Sequence, residues 1–547
     1  MDKLTRKRIK KYLGMLIPVI LIFSLGIVAL EFYLPYSGKQ GSPITTTYHM
    51  AENGKFLTDI PFDDYLHEAP AIQGVVFDIR DYGAGTELSF LDNTLAVQNT
   101  INAAFDSGGG TVLVDGGTYR TSTLGLKSNV TLRINEGACL ECITYDENKS
   151  LSEENRLDVL GYISAKDADN VKIEGPGRIA GNGATYVKPA KEDSEFLPLD
   201  TFNLKRYIVE HRKRIMMGKE HEFKRAMLLG MNNCTNVTIQ NLELYEAGSW
   251  TARLEGVENL HIEDVVINNN VRVANTDGFD IEGGKNIVIR HCFIATGDDA
   301  ICIKTDNADT PALDGMIVED CEIMSLANCF KIGTATWNTI SNVIVRDCFF
   351  FMPGIAGGYS GIAIECVDGS TVSDITIENI VMEHVTSPFV IWLGYRNGEG
   401  TLKNITISDI TATGCDVPSA ITGYKKGSKI NYVQNVKINN VRVAYREAQE
   451  KLNIFNNSKG AYEGILNMAG YPEITRVSHM SLISSDIYTY WDLPVYGLFA
   501  RYVDGLEVQN FVVTPRSENI REMNNVEEEK DRIDIKNVSW TYYDLPD

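Results

Sequence analysis

A short alternation of apolar and polar positions recurs along most of the chain. Each copy begins with Asn, Asp or Gly and continues as two brief apolar-alternating runs, as in Asn259-LHIEDVVI and Asn286-IVIRHCFI. Copies begin at Asn170, Asn236, Asn259, Asn286, Gly315, Asn342, Asp374, Asn404 and Asn435. From Asn236 onward the starts are 23, 27, 29, 27, 32, 30 and 31 residues apart. Two short strands per copy at this drifting period predict a parallel β-helix, whose coils bury their apolar faces by stacking.

Other repeat architectures fit this pattern less well. A leucine-rich repeat would hold its period more strictly and show Leu at fixed places, and a propeller blade would be longer. Upstream of the repeat, Leu91 to Phe105 has a helical pattern that ends at a Gly run and leads into TVLVDGGTYRT. The sequence therefore predicts an all-β, single-stranded parallel β-helix with a short N-terminal helical cap.

Smaller features refine this picture. The Asn or Asp that opens each copy suits a turn, where its side chain can bond nearby backbone amides. Cys292, Cys321 and Cys348 occupy the same position of successive copies and are expected to stack inside the coil as small apolar side chains. Cys139 and Cys142 form a lone C-x-x-C without a second pair at zinc-site spacing, so no structural metal is expected. A charged insert at residues 181–225 predicts a loop or helical excursion beside the cleft.

The N-terminus is read as a membrane anchor. Residues 1–12 are basic, and an uncharged apolar run from Leu13 to Leu30 is followed by Phe32, Tyr33 and Tyr36. This order predicts a cytoplasmic tail at 1–12, a transmembrane signal-anchor at 13–35, a linker at 36–70 and an outward-facing β-helix catalytic domain at 71–547. The alternative is a cleaved signal peptide, which would make the protein secreted, but no Ala-x-Ala cleavage site stands out.

Charge narrows the choice of partner. The chain has 51 basic and 73 acidic side chains, a net charge of −22, which argues against nucleic acid. It also makes a densely anionic polymer a less natural substrate unless a local basic cleft compensates. We expect a monomer with no cofactor.

The candidate chemistry lies in two acidic motifs one repeat apart, NTDGFD and GDDAICIK. Stacking of the coils would place Asp277 beside Asp298 and Asp299. Glycosidic hydrolysis needs such carboxylates, one as proton donor and one as base for water. Because three crowded carboxylates cannot all ionise freely, at least one pKa should rise. Asp280 and Glu282 are either functional or solvated turn residues.

With these two motifs the chain resembles glycoside hydrolase family 28, the polygalacturonase and rhamnogalacturonan hydrolase family. The resemblance extends over most of residues 75–440 and implies a right-handed β-helix. It also implies that Asp298 is the general acid, that Asp277 and Asp299 hold and deprotonate water, and that the anomeric configuration inverts. Asn275 would orient the cluster, and Lys304 follows the second motif as in the family.

Two departures from the family pattern bear on the substrate. Where the family has Gly-His-Gly this chain has Ala327-Asn328-Cys329, and where it has Arg-Ile-Lys this chain has Ala363-Ile364-Glu365. In polygalacturonases those cations grip the uronate carboxylate. Glu365 facing a uronate at roughly 4 Å would cost about 1 to 4 kcal/mol. A neutral sugar at the cleaved position is therefore expected, although Lys331 and Arg396 can supply cations from new places.

The sequence thus predicts an extracytoplasmic, inverting glycoside hydrolase that acts on plant cell-wall, pectic-type carbohydrate and is not a true polygalacturonase. Trp250, Trp392 and Tyr395 are either sugar-stacking or packing residues. The alternatives are a β-helical polysaccharide lyase, which would need calcium-binding carboxylates and a basic proton abstractor, and a non-catalytic carbohydrate-binding β-helix. The three aspartates favour hydrolysis over both.

Overall fold

The structure, a computed structural model, describes the central body of the chain in detail. The structure describes residues 49–50, 56–57, 495–514, 522–524 and 536–540. It also describes residues 62–187, except 154–155 and 158–160, and residues 225–445, except 272, 353–359 and 416–418. The predicted tail and anchor, residues 1–12 and 13–35, lie outside this part. So do most of the predicted linker and residues 188–224 of the charged insert. Among the described residues, no helix has both the length and the apolar character needed to span a bilayer.

A helix covers the first coils, as predicted. Helix α1, Phe90–Asp106, begins at Ser89, whose Oγ accepts a hydrogen bond from the Asp92 backbone N–H at 3.2 Å. Its buried face carries Ala96, Val97, Ile101 and Ala104, which close the end of the apolar interior. A shorter helix α2, Tyr145–Ser150, and 3₁₀ turns at Phe62–Asp64, Ile79–Tyr82 and Gly183–Tyr186 complete the described helical segments.

Strands make up the rest, and nearly all of them pair in parallel. The first coils contain β3 (Val76–Asp78), β4 (Gly110–Val114), β5 (Thr118–Thr121), β6 (Leu124–Gly125), β7 (Val130–Ile134), β8 (Cys139–Cys142), β9 (Ile163–Lys166), β10 (Asp169–Glu174) and β11 (Arg178–Ala180). The central coils contain β12 (Leu229–Asn232), β13 (Thr235–Tyr245), β14 (Ala252–Asn268), β15 (Phe279–Arg290), β16 (Phe293–Thr296), β17 (Ile301–Thr305), β18 (Leu313–Glu319), β19 (Glu322–Ser325), β20 (Asn328–Thr336), β21 (Ile340–Phe351) and β22 (Ser360–Asp368). The last coils contain β23 (Thr371–Glu383), β24 (Ser387–Gly398), β25 (Thr401–Cys415), β26 (Ser419–Thr422), β29 (Val433–Tyr445), β30 (Val495–Arg501), β31 (Val503–Thr514), β32 (Glu522–Asn524) and β33 (Lys536–Trp540). Two short antiparallel pairs, β1 (His49–Met50) with β2 (Phe56–Leu57) and β27 (Tyr424–Lys426) with β28 (Lys429–Asn431), stand outside this arrangement.

The parallel strands form three faces of one continuous helix. Face A includes β12, the start of β14 and of β15, then β17, β20, β22, β24 and β26. Face B includes the rest of β15, then β18 and the start of β21, and face C includes β16, β19 and the end of β21. The chain therefore returns to the same face one coil later, and the parallel β-helix prediction is confirmed.

Identical positions of successive coils stack inside. On face A, Phe279 lies next to Ile301, which lies next to Phe330, and all three are fully buried. Cys292, Cys321 and Cys348 are also buried, and each thiol donates to the backbone carbonyl two residues before it. The prediction of an internal cysteine row is thus confirmed. All ten cysteines, including Cys139 and Cys142, are free thiols.

The residue that opens each repeat has a different bonding pattern from the one predicted. Asn236, Asn259 and Asn286 have φ of 54°, 55° and 57°, in the left-handed region that Asn tolerates well. Their side chains bond one another between coils rather than nearby backbone amides: Asn259 Nδ2 donates to Asn236 Oδ1 at 3.0 Å, and Asn286 Nδ2 donates to Asn259 Oδ1 at 2.9 Å. We call this row the first ladder. Each of these turn side chains is therefore hydrogen-bonded to the equivalent side chain of the neighbouring coil.

A second ladder follows the turn between faces B and C. Its residues share a φ of 47° to 55° and are Asn241, Asp264, His291, Asp320, Asp347, Asn379, Asp409, Asn440 and Asn510. In its later part an amide donates to a carboxylate, as from Asn379 Nδ2 to Asp347 Oδ1 and from Asn440 Nδ2 to Asp409 Oδ1, both at 2.6 Å. At one place the donor position is taken by a histidine, His291.

Candidate active site

The two acidic motifs meet at the turn between faces C and A. Asp277 precedes β15, Asp298 and Asp299 lie between β16 and β17, and Asn328 is the first residue of β20. The backbone N–H of Gly278 donates to the Asp299 carbonyl at 2.9 Å, and that of Ala300 donates to the Asn328 carbonyl at 2.9 Å. These bonds hold three successive coils in register at this turn. The side chains of the turn residues consequently stand next to one another.

The three predicted aspartates form one buried cluster. Carboxylate oxygens of Asp277, Asp298 and Asp299 all lie within 4.8 Å of one another. Each residue is no more than 4% exposed. Carboxylates this close and this dry repel one another, so the cluster needs compensating cations or a retained proton. Both are present.

Asp299 is the ionised member of the cluster. Its Oδ1 accepts a hydrogen bond from Asn328 Nδ2 at 2.6 Å, and its Oδ2 accepts one from Lys331 Nζ at 2.9 Å. Burial alone would raise the pKa of Asp299, but the charges of Lys331 and Lys304 and the bond from Asn328 outweigh it and hold that pKa below its usual range. Asn328, which stands where the family has histidine, therefore orients and stabilises this carboxylate without carrying charge. Ser360 Oγ in turn donates to Asn328 Oδ1 at 2.6 Å.

Asp277 is the member that favours its proton. Burial and the neighbouring Asp280 carboxylate raise the pKa of Asp277 well above its usual range. Lys304 Nζ lies 3.4 Å from Asp277 Oδ2 and 2.6 Å from Asp280 Oδ1. Lys304 therefore lies between two carboxylates and is closer to Asp280 than to Asp277. One carboxyl of the cluster thus has a raised pKa, as expected, but burial and Asp280 contribute more to the shift than Asp299 does.

Asp298 is held by backbone groups. Its Oδ1 accepts from the backbone N–H of Asp299 at 3.0 Å, and its Oδ2 accepts from the backbone N–H of Asn275 at 3.3 Å. Asn275, predicted to orient the cluster, contacts it through this N–H and has a φ of 57°. Its side-chain Oδ1 accepts from Arg225 Nη2 at 3.3 Å. Arg225 also bonds the Ala274 carbonyl, so it fixes the loop that carries the Asn275 N–H.

Sequence reasoning missed Arg225 and underrated Asp280. Arg225 ends the charged insert, where no motif marks it, and only the folded chain brings it to Asn275. Asp280 is fully buried against Lys304, and burial raises the pKa of Asp280 to about 7 despite that lysine. The signal that could have found Asp280 is its period-two spacing from Glu282, which points both side chains outward from β15. Glu282 is likewise buried and bonds Arg253.

Lys331 and Glu365 lie on the outward side of face A next to the cluster. Lys331 of β20 pairs with Ala363 of β22, so it stands one coil from the position where the family has arginine. Glu365 is fully buried, and burial raises the pKa of Glu365 to about 7, although the positive charge of Lys331 opposes the shift. The sequence predicts a glutamate that faces the substrate, whereas the structure shows a carboxyl enclosed by protein.

Arg396 lies apart from the cluster, in an ion pair. Its Nε donates to Asp368 Oδ1 at 2.7 Å. Among the aromatic candidates, Trp250 packs its ring over Lys304, with the Nζ 3.8 Å from the ring centroid. Trp392 is only 1% exposed and is a packing residue, and Tyr395 carries Lys426 over its ring.

The aspartate cluster also has the geometry to hold a cation, since it presents three carboxylate oxygens within 4.8 Å. Two lysines, however, already contribute positive charge there, Lys331 at Asp299 and Lys304 beside Asp277. This donor set suits proton transfer better than the calcium site that a lyase would require.

Comparison with known proteins decides the family. The model described as glycosyl hydrolases family 28 matches residues 121–461, well over half of the chain. The chain belongs to glycosyl hydrolase family 28. The resemblance carried by the NTD and GDD motifs is thereby confirmed, and the protein is a glycosyl hydrolase.

Individual relatives agree with this assignment. An endo-polygalacturonase of Pectobacterium carotovorum subsp. carotovorum is 26% identical over 309 residues, which cover 54% of this chain and 71% of the relative. Among solved structures, the family 28 exopolygalacturonase of Yersinia enterocolitica has a TM-score of 0.59 at 16% identity, covering 85% of this chain and 78% of that one. A hyperthermoactive exopolygalacturonase of Thermotoga maritima has a TM-score of 0.53 at 20% identity, covering 71% of this chain and 90% of that one. These structures share the β-helix fold.

The raised pKa of Glu365 predicts how its replacement changes stability with pH. A carboxyl whose folded pKa is about 7, against an ordinary 4.5, is neutral in both states at low pH and costs nothing there. As pH rises from about 4.5 to 7, the unfolded chain ionises first and native stability falls, by up to roughly 3 kcal/mol. Glu365→Gln removes this loss. Its free energy of unfolding, measured with urea, should therefore gain on the wild type between pH 5 and pH 8.

A difference between the two proteins that stays constant over this range would contradict the buried, proton-retaining state of Glu365. Asp409→Asn, an exposed ladder position, is the matched control and should show no such pH-dependent gain.

Proposed function

We propose that the protein hydrolyses O-glycosidic bonds of pectic-type polysaccharide or oligosaccharide by a single displacement at the Asp277–Asp298–Asp299 cluster. The observation that carries the proposal is the division of charge within this cluster. Asp299 is ionised and is bonded by Asn328 and Lys331. Because the pKa of Asp277 is raised, the cluster as a whole retains a proton. A base and an acid are thus available side by side.

The roles follow from the contacts. Asp299, ionised and fixed through both oxygens, holds the attacking water together with Asp277 and accepts its proton. Asp298 gives a proton to the departing glycosidic oxygen, as the family resemblance implies. Because carboxylates this close titrate together, the proton belongs to the cluster rather than to one side chain, and it can reside on Asp298 when a substrate oxygen comes near.

The spacing raises a second mechanism. Inverting glycosidases usually hold their carboxyls about 6.5 to 9.5 Å apart and retaining ones about 5 to 5.5 Å. The 4.8 Å limit here is nearer to the retaining value. Retention, however, needs a carboxylate that attacks carbon. Both oxygens of Asp299 and both of Asp298 accept hydrogen bonds, and Asp277 favours its proton, which weakens all three as nucleophiles. We therefore propose inversion.

The same contacts support a neutral sugar at the cleaved position. Lys331 is engaged with Asp299, Lys304 with Asp280, and Arg396 with Asp368. None of these cations is placed like the family's uronate-gripping pair, and Ala363 supplies nothing. Glu365 is enclosed by protein and supplies no positive charge at the position where the resemblance implies a lysine. The proposed substrate is accordingly pectic carbohydrate other than unmodified polygalacturonate.

The site of action is proposed from the N-terminal sequence. The basic residues 1–12 and the uncharged apolar run from Leu13 to Leu30 support a membrane anchor at residues 13–35 with the β-helix facing outward. A pectic polymer is too large to cross the membrane, so an outward-facing enzyme also agrees with the proposed substrate.

Replacement of the cluster aspartates tests the proposed chemistry. Asn is nearly isosteric with Asp and removes proton transfer, which is worth roughly 10² to 10⁴-fold per group. Asp277→Asn, Asp298→Asn and Asp299→Asn should each lose at least that much turnover while keeping the wild-type fold by circular dichroism. Asp409→Asn makes the same chemical change far from the cluster and should keep full activity. Full activity in the Asp298 or Asp299 variant would refute the assignment.

Restoring the missing cations tests the substrate proposal. The wild type should release little reducing sugar from polygalacturonate and more from pectic chains whose cleaved residue is neutral. Ala363→Arg combined with Glu365→Lys should raise the affinity for galacturonate oligomers, measured by calorimetry, provided that the variant melts as one cooperative unit.

Ala363→Met combined with Glu365→Gln adds bulk without positive charge and is the control for that variant. Wild-type hydrolysis of polygalacturonate at the rate of the best neutral substrate would show that the subsite accepts uronates after all.

A further inference from the structure

A segment ahead of the β-helix lies across its outside. Residues 62–70, here called the strap, pack Phe62 and Tyr65 onto outward residues of face C. The ring centroids of Phe62 and Phe293 are 5.7 Å apart, and Tyr65 is only 4% exposed. At its far end the Pro70 carbonyl accepts a bond from Arg133 Nη1 at 2.6 Å. The strap is therefore fastened at both ends to coils far away in sequence.

His67 sits in the middle of the strap, over the second ladder. Its backbone N–H donates to Asn241 Oδ1 and its carbonyl accepts from Asn241 Nδ2, both at 2.8 Å. Asn241 opens the second ladder, and the next two positions are Asp264 and His291. The strap thus brings the His67 ring to those two side chains.

Three metal-binding side chains meet at this point. Ligand atoms of His67, Asp264 and His291 all lie within 4.8 Å of one another. His291 Nδ1 is 2.6 Å from Asp264 Oδ1, and the rings of His67 and His291 are nearly parallel, 12° apart, with centroids 6.4 Å apart. His67 is exposed, while the other two are half-buried. Two imidazoles and one carboxylate are a donor set that zinc favours.

Hydrogen bonding along the second ladder does not require a histidine at position 291. Other positions achieve the same bond with an asparagine amide, as Asn379 does to Asp347. A histidine at position 291 keeps the bond to Asp264 and adds an imidazole, and among the described residues His67 is the histidine whose ligand atom joins that pair. Further acidic residues surround the spot: Asp320 follows His291 on the ladder, and the charges of Asp64 and Asp320 act on the nearby Glu322. This negative field favours a cation over a neutral ligand.

We propose that His67, Asp264 and His291 bind a divalent zinc ion that fastens the strap to the β-helix. Zinc takes imidazole nitrogen and carboxylate oxygen at about 2.0 to 2.2 Å, so two ligand atoms on one ion lie at most about 4.2 Å apart. The ligand atoms of His291 and Asp264 are 2.6 Å apart, and small movements of these side chains and of the exposed His67 ring bring all three to zinc-ligand spacing. Water completes the coordination. The ion joins residue 67 to residues 264 and 291 and stabilises the strap, which follows the segment predicted to anchor the chain.

Zinc titration of the full-length chain, after chelator treatment, tests this site. Calorimetry with zinc chloride should show one site in the wild type, and zinc should raise the Tm. Loss of a metal ligand should weaken the affinity at least about tenfold, since loss of a group that only hydrogen-bonds a ligand already costs about 10 to 100-fold. His67→Ala changes an exposed side chain and should lose the zinc response. His291→Asn restores the ladder amide, so it should fold like the wild type without zinc and fail to respond to the ion.

Two control variants separate this site from other zinc ligands. His261 pairs with Glu263 at 2.8 Å on a neighbouring part of face B, and among the described residues no third ligand joins them. His261→Ala should therefore keep the zinc response. Asp277→Asn removes a ligand from the aspartate cluster and should also keep it. Absence of zinc binding in the wild type, or unchanged binding in both His67→Ala and His291→Asn, would overturn the proposal.

Discussion

The hydrogen-bond register between successive coils is the constraint on which the active site depends. Because each coil repeats the backbone path of the one before, the bond from Gly278 N–H to the Asp299 carbonyl sets Asp277 and Asp299 side by side. Side chains at the turns gain their neighbours from this register and not from nearby sequence. A shift of one residue would send the outward carboxylates of face A into the apolar interior. The buried stack of Phe279, Ile301 and Phe330 resists such a shift.

The register brings the carboxylates together, and the positive charges of nearby lysines offset the repulsion between them. Unpaired ionised carboxylates in a site this dry would cost several kcal/mol each. Lys331 holds Asp299 ionised, whereas Lys304 is shared between Asp277 and Asp280 and leaves Asp277 protonated more readily. Carboxyls that are chemically alike in sequence thus have pKa values shifted in opposite directions by unequal surroundings, and the proposed division into base and acid rests on this difference. Among the described residues, Lys331, Lys304 and Arg396 are each paired with an aspartate, and this pairing supports the proposed neutral sugar.

The sequence predicted the repeat and the meeting of the three aspartates, because both follow from the period of the coil. Asn259 and Asn286 mark turns, and the spacing of NTD and GDD equals one coil. It did not predict the contact of Arg225 with Asn275, since residues 50 positions apart meet only through the fold. It also predicted that Glu365 faces the substrate, whereas the structure buries that carboxyl and burial raises its pKa. The first ladder was read as local turn bonding, since one sequence copy cannot show that its side chain faces its counterpart on the next coil.

The anomeric configuration of the freshly released sugar tests the central claim most directly. Proton NMR within the first minutes of hydrolysis, before mutarotation, distinguishes the two anomers. The account predicts that the product has the configuration opposite to that of the cleaved bond, because Asp299 and Asp277 hold water and no carboxylate is available to attack carbon. A product with the original configuration would show a covalent intermediate and contradict this account.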